Sequence, residues 1–409
     1  MAELKIEYLG LHGDGVADGP IYAPLTLPGE VVSGTVEGTA LRDVRIVQPS
    51  DRRVRPPCCH FKTCGGCQLQ HADDDFVAAW KIEIVQRALS AHDLRTEFRP
   101  IQTSPPQTRR RAGFAARRTK KGALSGFFGR GSDTVVAIPH CILLDPAVLA
   151  GSSVAEALAL AGASRKATLS VMITETKTGL DVAVSGGKPL DGPLRLQLAG
   201  LCEQSGLARL SWDGEVIAMR CAPVQAFDGI DVSPPPGAFL QATTHGEATL
   251  LSAVKEITSG TDKIVDLFAG CGTFALPLSR HAEVLAVEND EDMIHALDRA
   301  WRAASGLKAV TTETRDLFRR PLLADEFRGV DAVVIDPPRA GADAQIAELK
   351  QTNVVRIAYV SCHPTSFARD ARQLVNAGFT LDWIQVVDQF RWSAHVELVA
   401  SFTSPHMRR

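Results

Sequence analysis

A cysteine stands where this chain could form a covalent bond to its substrate. The peptide VSCHP (360–364) follows a β-like run at 356–359, so Cys362 lies at the expected end of a strand. A thiolate at the carboxyl end of a strand in a cofactor-binding sheet can add to an electron-poor carbon. Cys362 is therefore the candidate nucleophile, and it indicates methyl transfer onto a pyrimidine ring carbon rather than onto an exocyclic amine. The alternative is a cysteine that only packs in the core.

The same chemistry needs a carboxylate near the thiol. Carbon 5 of uracil becomes nucleophilic only after sulfur adds to carbon 6, and the methylated adduct then carries a carbon-5 proton that a base must remove. Glu397, in a strand-like run at 396–402, is the candidate base. Asp336 and Arg339 could hydrogen-bond the polar edge of the ring. Asp336 is also a cofactor candidate, and both of its roles stay open.

Acids at the ends of successive predicted strands indicate a cofactor pocket without phosphate. The strand at 263–267 runs into a Gly-Cys-Gly turn at 270–272, where the missing side chains let the backbone approach a ligand. Glu288 can accept hydrogen bonds from ribose hydroxyls, Asp316 can approach an adenine amino group, and Asp336 ends a further strand. No phosphate-binding lysine accompanies these acids, which fits the cationic S-adenosylmethionine. Each acid by itself could equally be a solvated strand end.

Three of the four cysteines at 58–67, together with a cysteine further along, indicate a metal centre. Cys58, Cys64 and Cys67 lie on a glycine-containing loop, and Cys141 could complete a set of four thiolates. The spacing is neither the paired Cys-x-x-Cys of a zinc ribbon nor the pattern of radical enzymes. We therefore expect a 4Fe-4S cluster, with zinc or buried free thiols as the alternatives. Cys59 could be a spare or an alternate ligand.

The elements that must position these residues fall into three regions. Residues 1–52 alternate apolar and polar positions in short runs, which predicts an OB-like β-barrel. Residues 53–233 have a mixed α+β pattern, are expected to form a central iron–sulfur domain, and include a helix near 73–91 that is expected to pack on the catalytic domain. Residues 234–409 alternate strands and helices, which predicts a Rossmann-like, doubly wound methyltransferase domain. The predicted fold class is α/β.

Charge and hydropathy limit the partners of the chain. The net charge is −3, so contact with nucleic acid requires a local basic patch. Residues 109–121 supply one, with seven Arg and Lys and no acidic residue, although a solvated hairpin is the alternative. No apolar run approaches the roughly 18 residues of a membrane helix, and no signal peptide is evident. We expect a soluble, cytoplasmic monomer with no membrane partner.

Five motifs, in this order, resemble those of the RNA uracil-5-methyltransferases. They are FLQ (239–241), DLFAGCGTF (266–274), DPPRAG (336–341), YVSCHP (359–364) and HVE (395–397). Segments 13–17 and 27–30 resemble the TRAM module, an RNA-binding barrel. With the cysteine cluster, they make the chain similar to the TRAM-bearing iron–sulfur branch that acts on 23S ribosomal RNA. The bacterial branch that acts on tRNA generally lacks both features.

The resemblance implies a role for each motif residue. Cys362 is similar to the family's nucleophile and Glu397 to its base. The family's cofactor contacts fall on Gln241, Phe268, Thr273, Glu288, Asp316 and Asp336. The implied reaction transfers methyl from S-adenosylmethionine to carbon 5 of a uridine in 23S ribosomal RNA, with the base in a loop or flipped out of its stack.

Three other functions stay open from the sequence. The first is the same reaction on tRNA, against which the barrel and the cysteine cluster argue. The second is methylation of an exocyclic amine through the Asp-Pro-Pro motif, against which Cys362 and the non-aromatic Arg339 argue. The third is a non-catalytic RNA-binding iron–sulfur protein with a methyltransferase fold.

Overall fold

The structure, a computed structural model, describes residues 2–404 and begins with a small closed barrel. Its strands are β1 (Ala2–Leu9), β2 (Gly15–Ala17), β3 (Ile21–Ala23), β4 (Val31–Glu37) and β5 (Ala40–Gln48). They close in the order β1-β2-β3-β5-β4. Apolar side chains of alternate residues, among them Ile6, Val32 and Leu41, point inward and form the barrel core. The predicted N-terminal barrel is confirmed.

Helix α1 (Asp74–Ser90) and strand β6 (Glu97–Thr103) follow the barrel but belong to the core of the C-terminal sheet. Asp73 caps the helix by accepting a hydrogen bond from the Phe76 N–H at 2.7 Å. The buried face of α1 includes Val77 and Trp80, and it packs with the apolar residues of that sheet. The region expected to be the central domain therefore supplies two elements to the C-terminal one.

A seven-stranded sheet forms the middle of the molecule. Its strands are β7 (Arg111–Arg118), β8 (Ala123–Phe128), β9 (Val135–Val136), β10 (Thr168–Thr176), β11 (Gly179–Ser185), β12 (Arg209–Trp212) and β13 (Glu215–Met219), in the order β13-β12-β11-β10-β7-β8-β9. The helices of this region are α2 (Pro146–Ala150), α3 (Ser152–Gly162) and α4 (Gly192–Gln204). Their apolar residues pack against alternate residues of the strands, such as Phe114 and Ala116 of β7.

The C-terminal region contains the larger sheet. A hairpin of β14 (Gln225–Phe227) and β15 (Ile230–Val232) precedes it. The remaining strands are β16 (Lys263–Leu267), β17 (Glu283–Glu288), β18 (Val310–Thr314), β19 (Ala332–Ile335), β20 (Arg356–Ser361), β21 (Thr380–Asp388) and β22 (Leu398–Thr403). The helices are α5 (Thr244–Ile257), α6 (Ala275–Leu278), α7 (Glu291–Ala303), α8 (Asp343–Leu349) and α9 (Pro364–Asn376), with a short 3-10 helix at Ala324–Phe327.

The order of this sheet is β18-β17-β16-β19-β20-β22-β21-β6. Strands β16 to β20 are parallel to one another, whereas β22 is antiparallel to both β20 and β21. The chain leaves β16 toward β17 on one side and reaches β19 on the other, so the strand order reverses between β16 and β19. Ligands of open α/β sheets bind at the carboxyl ends of strands where such a reversal occurs.

No helix within residues 2–404 is long and apolar enough to cross a membrane.

Candidate active site

The sheet register brings Cys362 and Glu397 together. Ser361 at the end of β20 pairs with Leu398 at the start of β22 in antiparallel register. Cys362 and Glu397 are the next residues outward on these two strands, so they emerge side by side at one edge of the sheet. Glu397 was predicted to lie inside a strand, but it lies one residue before β22. Its carbonyl still accepts the Val387 N–H at 2.8 Å, which holds the backbone there.

One cavity of about 590 Å³ opens at this edge. All eight residues that the sequence suggested for catalysis and cofactor binding line it: Gln241, Phe268, Thr273, Glu288, Asp316, Asp336, Cys362 and Glu397. They come from different strand ends, and the parallel register explains their convergence. Leu267 pairs with Ile335, so the residues that follow β16 and β19 leave the sheet next to each other.

The turn after β16 depends on backbone conformations that favour glycine. Gly272 has a φ of +91°, and a Cβ there would lie 2.8 Å from the Leu297 side chain. Gly270 has a φ of +56°, and its N–H donates to the Glu288 carboxylate at 3.0 Å. Phe268 adopts a φ of +62°, an uncommon conformation for a bulky residue that is often found at binding sites. The turn is thereby bound to the end of β17, where the predicted ribose-binding acid stands.

Two aromatic rings line the cavity beside Asp316. The ring centroids of Phe268 and Phe318 are 5.6 Å apart, and Phe318 is 47% exposed. The Asp316 carboxylate accepts the Phe318 N–H at 3.0 Å, so the acid and the ring are positioned together. A flat ring with an amino group, such as adenine, suits this arrangement. Phe318 was not among the predicted site residues, because its only signal in the sequence is an apolar residue two positions after Asp316.

Burial and mutual repulsion make the acids of the cavity hold protons tightly. Burial and the Glu288 charge raise the pKa of Asp336 to about 7. Burial and the Asp336 charge raise the pKa of Glu397 to about 8. Burial, with the charges of Glu397 and Asp336, raises the pKa of Cys362 to about 11. A cationic ligand would offset these charges, so the residues fit the sulfonium of S-adenosylmethionine better than a phosphate-bearing cofactor.

A buried glutamine connects the candidate base Glu397 with the candidate cofactor contact Gln241. Gln389 donates to the Glu397 carboxylate at 3.0 Å and to the Gln241 side-chain oxygen at 2.5 Å. The Gln241 amide in turn donates to Asp336 at 3.4 Å. Gln389 was not among the predicted site residues, because one glutamine after a strand carries no pattern that distinguishes it.

The four candidate metal ligands line a second cavity. They are Cys58, Cys64, Cys67 and Cys141, and all four are free thiols. The loop is held by its neighbours: Arg130 donates to the Cys67 carbonyl at 2.9 Å, and the Cys58 N–H donates to the Gln70 side chain at 3.1 Å. Cys59, the suggested alternate ligand, is exposed and is not among the residues that line this cavity.

Burial raises the pKa of Cys67 to about 12 and also raises the pKa values of Cys58 and Cys64, with Cys141 adding to each. A thiophilic metal binds crowded, desolvated thiols by displacing their protons. Within residues 2–404, however, no three His, Cys, Asp or Glu side chains are arranged to hold a metal ion. The four thiols share a cavity without forming a closed single-ion site, and the iron–sulfur cluster stays a prediction.

The basic run at 109–121 does not present all of its charges to solvent. Arg110 is only 5% exposed and forms an ion pair with Glu247 of α5. This pair joins the residue before β7 to α5 of the C-terminal region, so Arg110 is a structural residue and not the phosphate contact that the sequence suggested. A run of basic residues does not reveal a partner that is distant in sequence. Lys120 and Lys121, in the turn after β7, are exposed.

Comparison with known proteins reveals similarity along the whole chain. The family model described as tRNA (Uracil-5-)-methyltransferase matches residues 233–402. An RNA methyltransferase of Rhizobium meliloti (strain 1021) is 44% identical over 407 residues, which cover 97% of this chain and 98% of that protein. The 23S rRNA (uracil(1939)-C(5))-methyltransferase RlmD of Francisella tularensis subsp. holarctica (strain OSU18) is 30% identical over 439 residues, covering 98% and 96%.

A solved structure has the same fold. The crystal structure of Pyrococcus abyssi tRNA (uracil-54, C5)-methyltransferase in complex with S-adenosyl-L-homocysteine superposes with a TM-score of 0.76. It covers 98% of this chain and 99% of its own, at 24% sequence identity. The predicted methyltransferase fold of the C-terminal region is thereby confirmed.

Proposed function

We propose a function from the family to which this chain belongs, the RNA (uracil-5-)-methyltransferases. The protein transfers a methyl group from S-adenosylmethionine to carbon 5 of a uridine in 23S ribosomal RNA. The observation that carries the proposed mechanism is the placement of Cys362 and Glu397 side by side on the wall of the 590 Å³ cavity. Gln241, Glu288 and Asp336 line the same space.

Cys362 starts the reaction by adding its sulfur to carbon 6 of the uracil. The new C–S bond converts the ring to an enolate, and carbon 5 gains the electron density that it needs to accept a methyl group. S-adenosylmethionine, when bound, supplies that electrophilic methyl group and a positive charge near the acids. Arg339 lines the cavity and its charge favours the thiolate form of Cys362, which makes it a candidate for the enolate oxygen as well.

Glu397 completes the reaction by removing the carbon-5 proton. The electrons of the broken C–H bond form the carbon 5–carbon 6 double bond, and the C–S bond breaks to return the Cys362 thiolate. We expect Cys362→Ala to abolish methylation and Glu397→Gln to accumulate a covalent protein–RNA adduct that survives denaturing gels. Cys271→Ser is the matched control, because that thiol lines the cavity in the cofactor turn and is assigned no bond to the base. Full activity of Cys362→Ala would overturn the mechanism.

The choice of 23S ribosomal RNA rests on the relative RlmD and on the barrel and cysteine loop that this chain carries. The second candidate is tRNA, which is favoured by the name of the matching family model and by the solved tRNA enzyme with the same fold. Mass-spectrometric mapping of 5-methyluridine in 23S ribosomal RNA and tRNA, with and without the gene, decides between them. Loss of the modification from tRNA alone would refute the ribosomal assignment.

We also propose that Cys58, Cys64, Cys67 and Cys141 hold a 4Fe-4S cluster, since their four thiols surround one cavity beside the central sheet. Anaerobically purified protein should contain about four iron and four sulfide per chain. Cys67→Ala should lose the cluster, whereas Cys59→Ala should keep it, because Cys59 lies outside the cavity. Stoichiometric zinc without sulfide would contradict the proposal.

A further inference from the structure

Gln389 is placed where its amide can control the candidate base. It lies just after β21, is 1% exposed, and donates from Nε2 to Glu397 Oε2 at 3.0 Å and to Gln241 Oε1 at 2.5 Å. Its own Oε1 accepts the Ala242 N–H at 2.8 Å. A backbone N–H can only donate, so this contact fixes which end of the amide faces Glu397.

The surrounding chain holds Gln389 in this place from both sides. A Cβ at Gly246, in the first turn of α5, would lie 2.7 Å from the Gln389 Cβ, so the glycine makes room for the glutamine. The preceding residue, Asp388, is fixed by Lys81 Nζ at 2.5 Å and by the Phe390 N–H at 3.1 Å. The packing at Gly246 and the contacts of Asp388 both lie outside the cavity lining. Together they explain why Gln389, a loop residue, has one defined orientation.

We propose that Gln389 is a positioning residue for the second half of the reaction, in which the carbon-5 proton is removed. Its amide engages Oε2 of Glu397 and leaves Oε1 of the same carboxylate to take the proton. As that C–H bond breaks, its electron pair forms the ring double bond, and the C–S bond to Cys362 breaks with its electrons returning to sulfur. The inference rests on the proposed function, because it assumes the Cys362 adduct.

The hydrogen bond also favours the carboxylate form of the base. Glu397 is buried beside Asp336, and both conditions oppose its ionisation. A donor aimed at one oxygen counteracts them, which keeps a fraction of the enzyme ready to accept the proton. Loss of the donor should therefore slow proton removal and shift its pH dependence to higher pH. Sulfur addition does not use this carboxylate and should be spared.

Two RNA substrates separate these steps. The probe is in vitro transcribed 23S ribosomal RNA made with uridine or with 5-fluorouridine, in which fluorine replaces the proton, so the methylated adduct forms and cannot eliminate. For Gln389→Met we expect turnover on uridine RNA to fall about 10- to 100-fold, with a covalent adduct accumulating on denaturing gels. Adduct formation with fluorinated RNA should stay within about threefold of wild type.

Matched variants keep the test independent of folding. Gln345→Met removes another buried glutamine, whose amide bonds the Leu322 backbone and does not line the cavity, and it should leave both rates unchanged. Gly246→Ala displaces Gln389 without altering it and should reproduce the slow elimination. Unchanged turnover of Gln389→Met, or an equal loss of adduct formation and turnover, would overturn the positioning role. Failure of wild-type protein to form the fluorinated adduct would instead refute the proposed function.

Discussion

Breaking the buried ion pair between α1 and β21 should cost the protein several kcal/mol of stability. Lys81 is 0% exposed and Asp388 2% exposed, with 2.5 Å between Nζ and Oδ1. Lys81→Met keeps the packing of the stem but leaves the carboxylate buried without its cation. Breaking such a pair costs about 3–5 kcal/mol.

The free energy of unfolding by urea should therefore fall by about 3–5 kcal/mol. Adding Asp388→Asn to Lys81→Met should recover most of the loss, because Asn keeps an acceptor for the Phe390 N–H and carries no charge. Lys255→Met is the control: its pair with Asp228 is more than one third exposed and should be worth less than about 1 kcal/mol. A loss below 1 kcal/mol, or one that the second substitution does not relieve, would refute this reasoning.

Three further outcomes follow from the described contacts. Arg110→Met should destabilise the protein by about 3–5 kcal/mol in urea unfolding, since Glu247 loses its partner. The same substitution should leave the salt dependence of RNA binding unchanged, and a smaller salt slope would restore Arg110 as a phosphate contact. Because the pKa of Glu397 is raised from 4.5 to about 8, its contribution to stability is complete below pH 4.5 and is lost as pH rises through 8. Scanning fluorimetry from pH 6 to 9 should therefore show a steeper decline in thermal stability for wild type than for Glu397→Gln. Gly272→Ala should abolish cofactor binding measured by calorimetry. Gly260→Ala should keep it, because Gly260 also has a positive φ but has open space around it. Equal losses would attribute the effect to backbone conformation alone.

The local patterns were sufficient to predict the strands that carry the site. The apolar run of β16 followed by two glycines, and the acid at the end of β17, indicated a cofactor turn because strand burial and close backbone approach leave local signatures. The barrel was predicted in the same way, from short alternating runs between turn residues. Each of these inferences needs only residues that are near one another in the chain.

Partners distant in sequence were not predictable. Strand β6 reads as part of the central region, yet it pairs with β21 across almost three hundred residues. Arg110 reads as one cation of a basic strand until its contact with Glu247 is seen. Gln389 has no pattern at all, and its importance comes from contacts with Glu397 and Gln241. Burial and pairing of this kind depend on the packed structure, because the choice of partner is made by the whole sheet.

Residue types alone indicate which chemistry this protein could perform: a thiol, a carboxylate and a set of strand-end acids are the groups that covalent methyl transfer to a ring carbon demands. That these groups share one cavity, and which neighbours hold them, follows from the folding of the whole chain. The register of β20 and β22 places Cys362 beside Glu397, and the order of the parallel strands brings Asp336 to the same edge. Residue type sets reactivity, whereas distance and burial set whether reactive groups act together.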